Sequence, residues 1–153
     1  MSILVPSDLV KNLIAIGSDT KKLLAAEAVA GKKLLHATGI RYPHDGCAIT
    51  TSVILQEAGY DVPDTYRAID LGNILKKNGW QVIPVGKQQA GDIGSTCGPV
   101  AHHGTDHIYI VLKEVNEDEM LIADNQVKAP HFRWASGKGG KSPTKFFLRA
   151  PAK

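Results

Sequence analysis

The run DGCAITTSVILQEAG, Asp45–Gly59, opens with a cysteine and continues as an almost wholly apolar segment. Ala48, Ile49, Val53, Ile54, Leu55 and Ala58 cover more of a helix circumference than a surface stripe would, so the spacing predicts an enclosed helix that Gly59 ends. Asp45 is placed to cap it. Cys47 then falls in the first turn, where unpaired backbone N–H groups and the helix dipole favour thiolate over thiol. That makes Cys47 the candidate nucleophile. The competing account is structural, because free cysteine is among the most buried residue types and an enclosed helix would bury one whatever its chemistry.

Upstream, Ser7 and Asp8 can cap a helix over residues 9–16 that Gly17 stops, and Ser18 or Asp19 can cap a second one reaching about Leu35. The Ala-, Leu- and Lys-rich KKLLAAEAVAGKKLLHATG within it reads as a packing helix with a solvated face. Gly39 and Pro43 mark the loop that follows. Downstream of Gly59, a Pro-containing loop leads into a short helix with Ala68, Leu71, Ile74 and Leu75 inward and Gly79 as its stop. WQVIPV then reads as a strand, and GKQQAGDIGSTCGPVAHHGTD as a long polar loop of the kind that borders active sites.

HIYIVLKEV and EMLIADNQ, joined by Asn116-Glu117-Asp118, form a predicted hairpin. A turn centred between Asn116 and Glu117 sets His107 opposite Gln126 and Tyr109 opposite Asp124, which puts His107, Asp124 and Gln126 on one face. A slip of one residue would exchange Asp124 for Asn125 there. The pattern thus nominates Asp124 as the partner of His107, with Asn125 as the alternative. GKGGKSPTK lacks the residues of a phosphate-binding loop and reads as a flexible connection to a last strand, KFFLR; Phe132 and Trp134 before it would pack on the core or wall a cleft.

The chain has 153 residues, of which 43% are hydrophobic and 22% charged, so one domain spanning 1–153 with a full core is expected, without disulfides or structural metal. Cys47 and Cys97 allow at most one bridge. A formal charge of +3 and a pI near 8.9 would assist approach to an anionic polymer such as a bacterial wall or nucleic acid but are too small to establish either. No run approaches the roughly 18 apolar residues of a membrane span, so membrane insertion is not expected. The N-terminus, with Pro6, Asp8 and Lys11, does not read as a signal peptide, and synthesis in the cytoplasm is expected.

DGCAITTSVILQEAG resembles the nucleophile helix of the NlpC/P60 and CHAP groups of papain-like cysteine peptidases and amidases. A short helix, then AGDIG, then His107 opening HIYIVL follow in the order of those families. Asp124 and Gln126 resemble the acidic and amide pair that closes the next strand in CHAP enzymes, and Tyr42 lies roughly where NlpC/P60 enzymes have a tyrosine lining the site. The likeness spans about residues 36–126. It departs at Gly46, which intervenes between Asp45 and Cys47, and at Ala48, where NlpC/P60 enzymes carry Ser-Gly after the cysteine.

The resemblance implies an α+β papain-like domain in which N-terminal helices and the nucleophile helix pack on a small antiparallel sheet. It also implies hydrolysis of amide bonds in bacterial peptidoglycan peptides by Cys47, His107 and Asp124, with Gln126 or Asn125 as secondary catalytic or oxyanion candidates. Tyr42, His44 and His103 are candidates for the substrate cleft. No cofactor or metal is required. A phage lysin and an antibacterial effector injected by a secretion system both fit, the second implying an immunity or inhibitor protein, and acyl transfer by the same thioester chemistry stays open. Two other readings compete: a zinc-dependent amidase using Cys97, His102, His103 and His107, and a papain-like binding module without turnover.

Overall fold

The computed structural model describes residues 6–102 and 104–151. Helix α1, Pro6–Ser18, is followed at once by α2, Thr20–Thr38. Asp19 between them caps α2, its Oδ1 accepting from the N–H groups of Lys21 at 2.9 Å and Lys22 at 3.2 Å. Gly39, at φ 77°, ends α2 in the left-handed conformation that glycine adopts without strain. Leu23, Ala26, Glu27, Ala30 and Leu34 form its buried stripe at helical spacing.

Gly17 does not stop α1 as expected; it lies inside the helix. A Cβ there would sit 2.6 Å from Leu112 Cδ2 and 3.1 Å from Ala123 Cβ, so the glycine is where α1 closes onto the sheet. Helix α3, Cys47–Glu57, is enclosed as its composition predicts, with every residue from Cys47 to Leu55 buried. Helix α4, Ala68–Lys77, buries Ala68, Leu71, Gly72 and Leu75, while Ile74 is only half-buried.

Six strands form one sheet: β1 Gln81–Ile83, β2 Ile93–Ser95, β3 Ile108–Glu114, β4 Glu119–Ala123, β5 His131–Trp134 and β6 Phe146–Arg149. Their order is β1-β6-β2-β3-β4-β5, and every neighbouring pair is antiparallel. The architecture is α+β, with four helices among the described residues. Ile93, Ile108, Ile110, Leu112, Ala123 and Leu148 face the helices and share their core. The other face carries a second cluster of Ile83, Tyr109, Val111, Met120, Ile122, Ala135 and Phe147.

Three expectations are corrected here. The polar segment after β1 is not all loop, because Ile93–Ser95 runs between β6 and β3 in the middle of the sheet. Three fully buried residues are too short a run for a periodicity reading to separate from Gly-rich surroundings. The hairpin pairs Ile110 with Ala123 and Val111 with Ile122, the register expected near His107, but beyond a bulge after Val111 it pairs Lys113 with Leu121 and Glu114 with Met120. The extra residue, Leu112, is buried with the helices, and its side chain meets Gly17. Last, the segment expected to be a flexible connection covers the second face: Thr144 Oγ1 bonds Tyr109 Oη at 2.6 Å, and the Ser142 carbonyl accepts from the Arg133 guanidinium at 2.8 Å. Arg133 is buried over the Tyr109 ring, 5.2 Å from its centroid.

Candidate active site

Cys47 is the first residue of α3, and Gly46 before it offers no side-chain cap to the helix. Asp45 does not cap as expected; it stands at φ 53° and approaches His44 Nε2 at 3.6 Å. The amides of the first turn lie at the helix end, where they have no intrahelical acceptor. Gly46 has a steric reason, since a Cβ would lie 3.0 Å from both the Pro43 carbonyl oxygen and the Tyr42 ring. That ring also lies against Gly31 of α2, so it wedges between the two helices.

The Cys47 thiol lies against the segment that carries His107: Sγ is 4.0 Å from the Asp106 carbonyl oxygen, and the Ile108 N–H is directed at the sulfur. Burial pushes the thiol up to about 11, and the Ile108 and Ala48 N–H groups pull it down without offsetting that. The resting group at neutral pH is thus a thiol, contrary to the thiolate that the helix terminus alone predicts. Exclusion of water outweighs the helix-end field here.

His107 stands immediately before β3, its backbone N–H donating to Thr96 Oγ1 at 2.9 Å. Its ring is buried and stacks near Tyr109, with centroids 5.8 Å apart and planes at 27°. Nε2 bonds Asp124 Oδ2 at 2.8 Å, which leaves Nδ1 as the nitrogen available to a thiol proton. Asp124, the residue after β4, is fully buried. Burial would raise its pKa, but the hydrogen bonds from His107 and His131, with the electrostatic attraction of both rings, hold it well below the usual carboxylate range.

The alternative partner is placed elsewhere. Asn125 donates from Nδ2 to the Pro43 carbonyl at 2.8 Å, tying the loop before Cys47 to the end of β4, and does not reach His107. Gln126 is exposed, and its contact with the site is through the backbone, its N–H donating to Asp124 Oδ1 at 2.9 Å. Tyr42 does not line the cleft beside Cys47. Its hydroxyl bonds Thr50 Oγ1 at 2.9 Å and donates to Glu27 Oε1 at 3.2 Å, between α2 and α3. His44 is exposed, and His103 lies outside the described residues.

Two participants were not foreseen. His131 opens β5, and its Nε2 bonds the second Asp124 oxygen at 2.8 Å. HFRW is too short to announce itself as a strand, and the pairing of His131 with Ile122, two residues before Asp124, is visible only once β5 is placed. Glu27 is buried in α2 with Oε2 unpartnered, and burial pushes its carboxyl up to about 7, with Tyr42 lowering it and Asp124 raising it. Its position within the α2 stripe signals burial, but nothing local signals which polar groups lie across from it.

A cleft of about 210 Å³ opens beside Cys47. Leu34, Ile40, Tyr66 and Ile69 give it apolar walls, and Asp45, Arg67 and Asp106 charged ones. Among the described residues no group of three or more His, Cys, Asp or Glu side chains is gathered to hold a metal ion. Cys97 is buried, whereas His102 is exposed and held through its backbone N–H by Asp106 Oδ2. No helix of the described residues is long and apolar enough to cross a membrane.

What the geometry defines is a class of site: a helix-terminal cysteine packed against the strand entry that carries a carboxylate-bound histidine. No family model matches the chain, and no curated protein matches it significantly. The solved crystal structure of Ly7917 is similar to it with 16% sequence identity and a TM-score of 0.45 over 97% of this chain and 63% of that one. The chain thus spans less than two thirds of the length of Ly7917.

Proposed function

We propose that the protein is a cysteine peptidase or amidase with a papain-like arrangement that hydrolyses amide bonds in bacterial peptidoglycan peptides. The observation that carries this reading is the buried His107–Asp124 hydrogen bond of 2.8 Å, with the thiol at the start of α3 packed 4.0 Å from the carbonyl of Asp106, the residue before His107. In this mechanism Asp124 accepts from Nε2–H, so His107 keeps Nδ1 unprotonated as a base. His107 Nδ1 takes the Cys47 proton as sulfur attacks the carbonyl carbon, and the imidazolium is stabilised by the ionised Asp124. The oxyanion is held by first-turn backbone N–H groups of α3, and His107 returns the proton to the leaving amine. Water, deprotonated by the same nitrogen, then releases the acid and frees the thiol.

The thiol's elevated pKa fits proton transfer coupled to attack, because burial disfavours a standing thiolate. The wall as substrate rests on the resemblance of DGCAITTSVILQEAG and the downstream His107 to NlpC/P60 and CHAP enzymes, and the mild basicity agrees with an anionic polymer. A phage lysin or an injected effector, the latter with an immunity protein as partner, is the corresponding setting.

Incubation of purified peptidoglycan with wild type and Cys47→Ala, with and without chelator, tests the reading by mass spectrometry of the released fragments. New amide-cleavage products that require Cys47 and survive chelation are expected. Cleavage that persists in Cys47→Ala would defeat the thiol mechanism, and a folded wild type that releases nothing would defeat the wall substrate.

A further inference from the structure

Asp124 receives more donors than a base-orienting carboxylate needs. Oδ2 takes one bond from His107 Nε2, while Oδ1 takes two, from His131 Nε2 at 2.8 Å and from the Gln126 N–H at 2.9 Å. An ionised carboxylate only accepts, so both rings must carry hydrogen on Nε2. The Gln126 contact is a local turn closed two residues along the chain, and it moves with Asp124. His131 differs: it arrives from β5, where pairing with Ile122 sets its side chain on the face that also carries Asp124. Without His131 the carboxylate would keep only the His107 ring it has to orient and a turn that moves with it, whereas the His131 bond holds Oδ1 from another strand, independently of both.

We infer that His131 is a positioning residue of the thiol site proposed above, on which this inference rests: it locks the Asp124 carboxylate in the plane where Oδ2 takes the Nε2–H of His107, and so keeps Nδ1 of His107 as the base. His131 itself touches no reacting atom in this scheme. Its side chain is 21% exposed against 7% for His107, and it faces Asp124 through the hydrogen bond while Glu27 of α2 acts on the same cluster. A substitution at 131 should therefore act through His107 and leave the cleft's binding groups in place.

The test compares His131→Leu, which removes the donor, His131→Asn, whose shorter amide falls short of Asp124, and His131→Gln, whose amide nitrogen stands in for Nε2. His107→Ala is the reference. The readouts are kcat and KM on peptidoglycan fragments, the rate of Cys47 alkylation by iodoacetamide at neutral pH located by peptide mapping, and the imidazole ¹⁵N spectrum of folded protein. Leu and Asn are expected to lower kcat and the alkylation rate about 10-fold with KM within about 2-fold, and to move His107 from the Nε2–H tautomer to a mixture. Gln should restore all three.

Wild-type kcat, alkylation and tautomer in folded His131→Leu or His131→Asn would overturn the inference, as would a Gln variant no better than these two. If His107→Ala slows alkylation and cleavage while the 131 variants do not, only the role of His131 falls. If His107→Ala changes neither, the thiol reading falls and this inference with it. Should wild type release nothing from peptidoglycan, alkylation and the ¹⁵N spectrum still decide the positioning role. Should His131→Leu fail to fold, Asn against Gln decides it.

Discussion

Asp92 and Asp124 flank β3, one opening β2 and the other closing β4, and both are buried. Asp92 is gripped by Arg149, whose Nε and Nη2 donate to its two oxygens at 3.0 and 2.9 Å, and it also accepts from the Gln89 N–H at 2.8 Å. Asp124 is gripped by two imidazoles and one backbone N–H. A guanidinium keeps its charge at every working pH, so the Asp92 pair is a fixed fastening between β2 and β6. An imidazole bonded through Nε2 keeps a second ring nitrogen that can take a proton, so in the proposed mechanism the same kind of buried carboxylate stabilises a charge that forms during reaction. Burial and pairing alone therefore do not separate a structural carboxylate from one proposed to work; the free nitrogen of the partner does.

The largest expected effect bears on Cys47, the nucleophile of the proposed mechanism. Cys47→Ala should reduce amide cleavage by at least about 10⁴-fold with little loss of stability, read as product formation beside a melting curve. Next comes the pair of carboxylates itself. Asp124→Asn should lower kcat by roughly 10³-fold, because the amide favours the wrong His107 tautomer. Asp92→Asn should leave kcat within about 2-fold while costing about 2 kcal/mol, or ~5 °C in Tm for a chain of this size. If Asp92→Asn lost activity without losing stability, the distinction between the two carboxylates would collapse.

Gly46→Ala sharpens the comparison from the side of Cys47. Its Cβ meets the Tyr42 ring and the Pro43 carbonyl at 3.0 Å, so the start of α3 must shift, at a cost of about 1–3 kcal/mol and roughly a 10-fold loss in kcat. Unchanged kinetics and Tm would show that the entry to α3 tolerates displacement.

The smallest effect concerns the third buried carboxyl. Glu27 is raised from its ordinary 4.5 to about 7, so the folded protein holds a proton there that the unfolded chain has released. Its stabilising contribution is whole below the unfolded value and is lost as pH rises through about 7. Glu27→Gln should therefore gain several degrees of Tm relative to wild type between pH 5 and pH 8, by roughly 2–3 °C per kcal/mol recovered. An equal Tm difference at both pH values would remove Glu27 from the pH dependence.

Much of the site's geometry is legible in the chain because it depends on local periodicities. The enclosed character of α3 follows from its apolar run, and Cys47 falls at its first residue. The pairing expected from a turn centred between Asn116 and Glu117 holds near His107 only because the bulge at Leu112 offsets the shifted turn, and it brings Asp124 rather than Asn125 to His107. The turn end of that hairpin is misread because the bulge at Leu112 answers to Gly17 of α1, about a hundred residues away in sequence.

By itself, then, the sequence determined the elements with strong periods, the α+β class, and the identity of a cysteine, a histidine and a carboxylate that could meet. Tertiary structure decided what those groups are chemically. Burial made Cys47 a thiol, β5 delivered His131 to the far oxygen of Asp124, and packing of α2 against α3 raised Glu27. The physical reason is range: propensity and periodicity act over a few residues along the chain, whereas desolvation and charge coupling depend on whatever the fold places across the core.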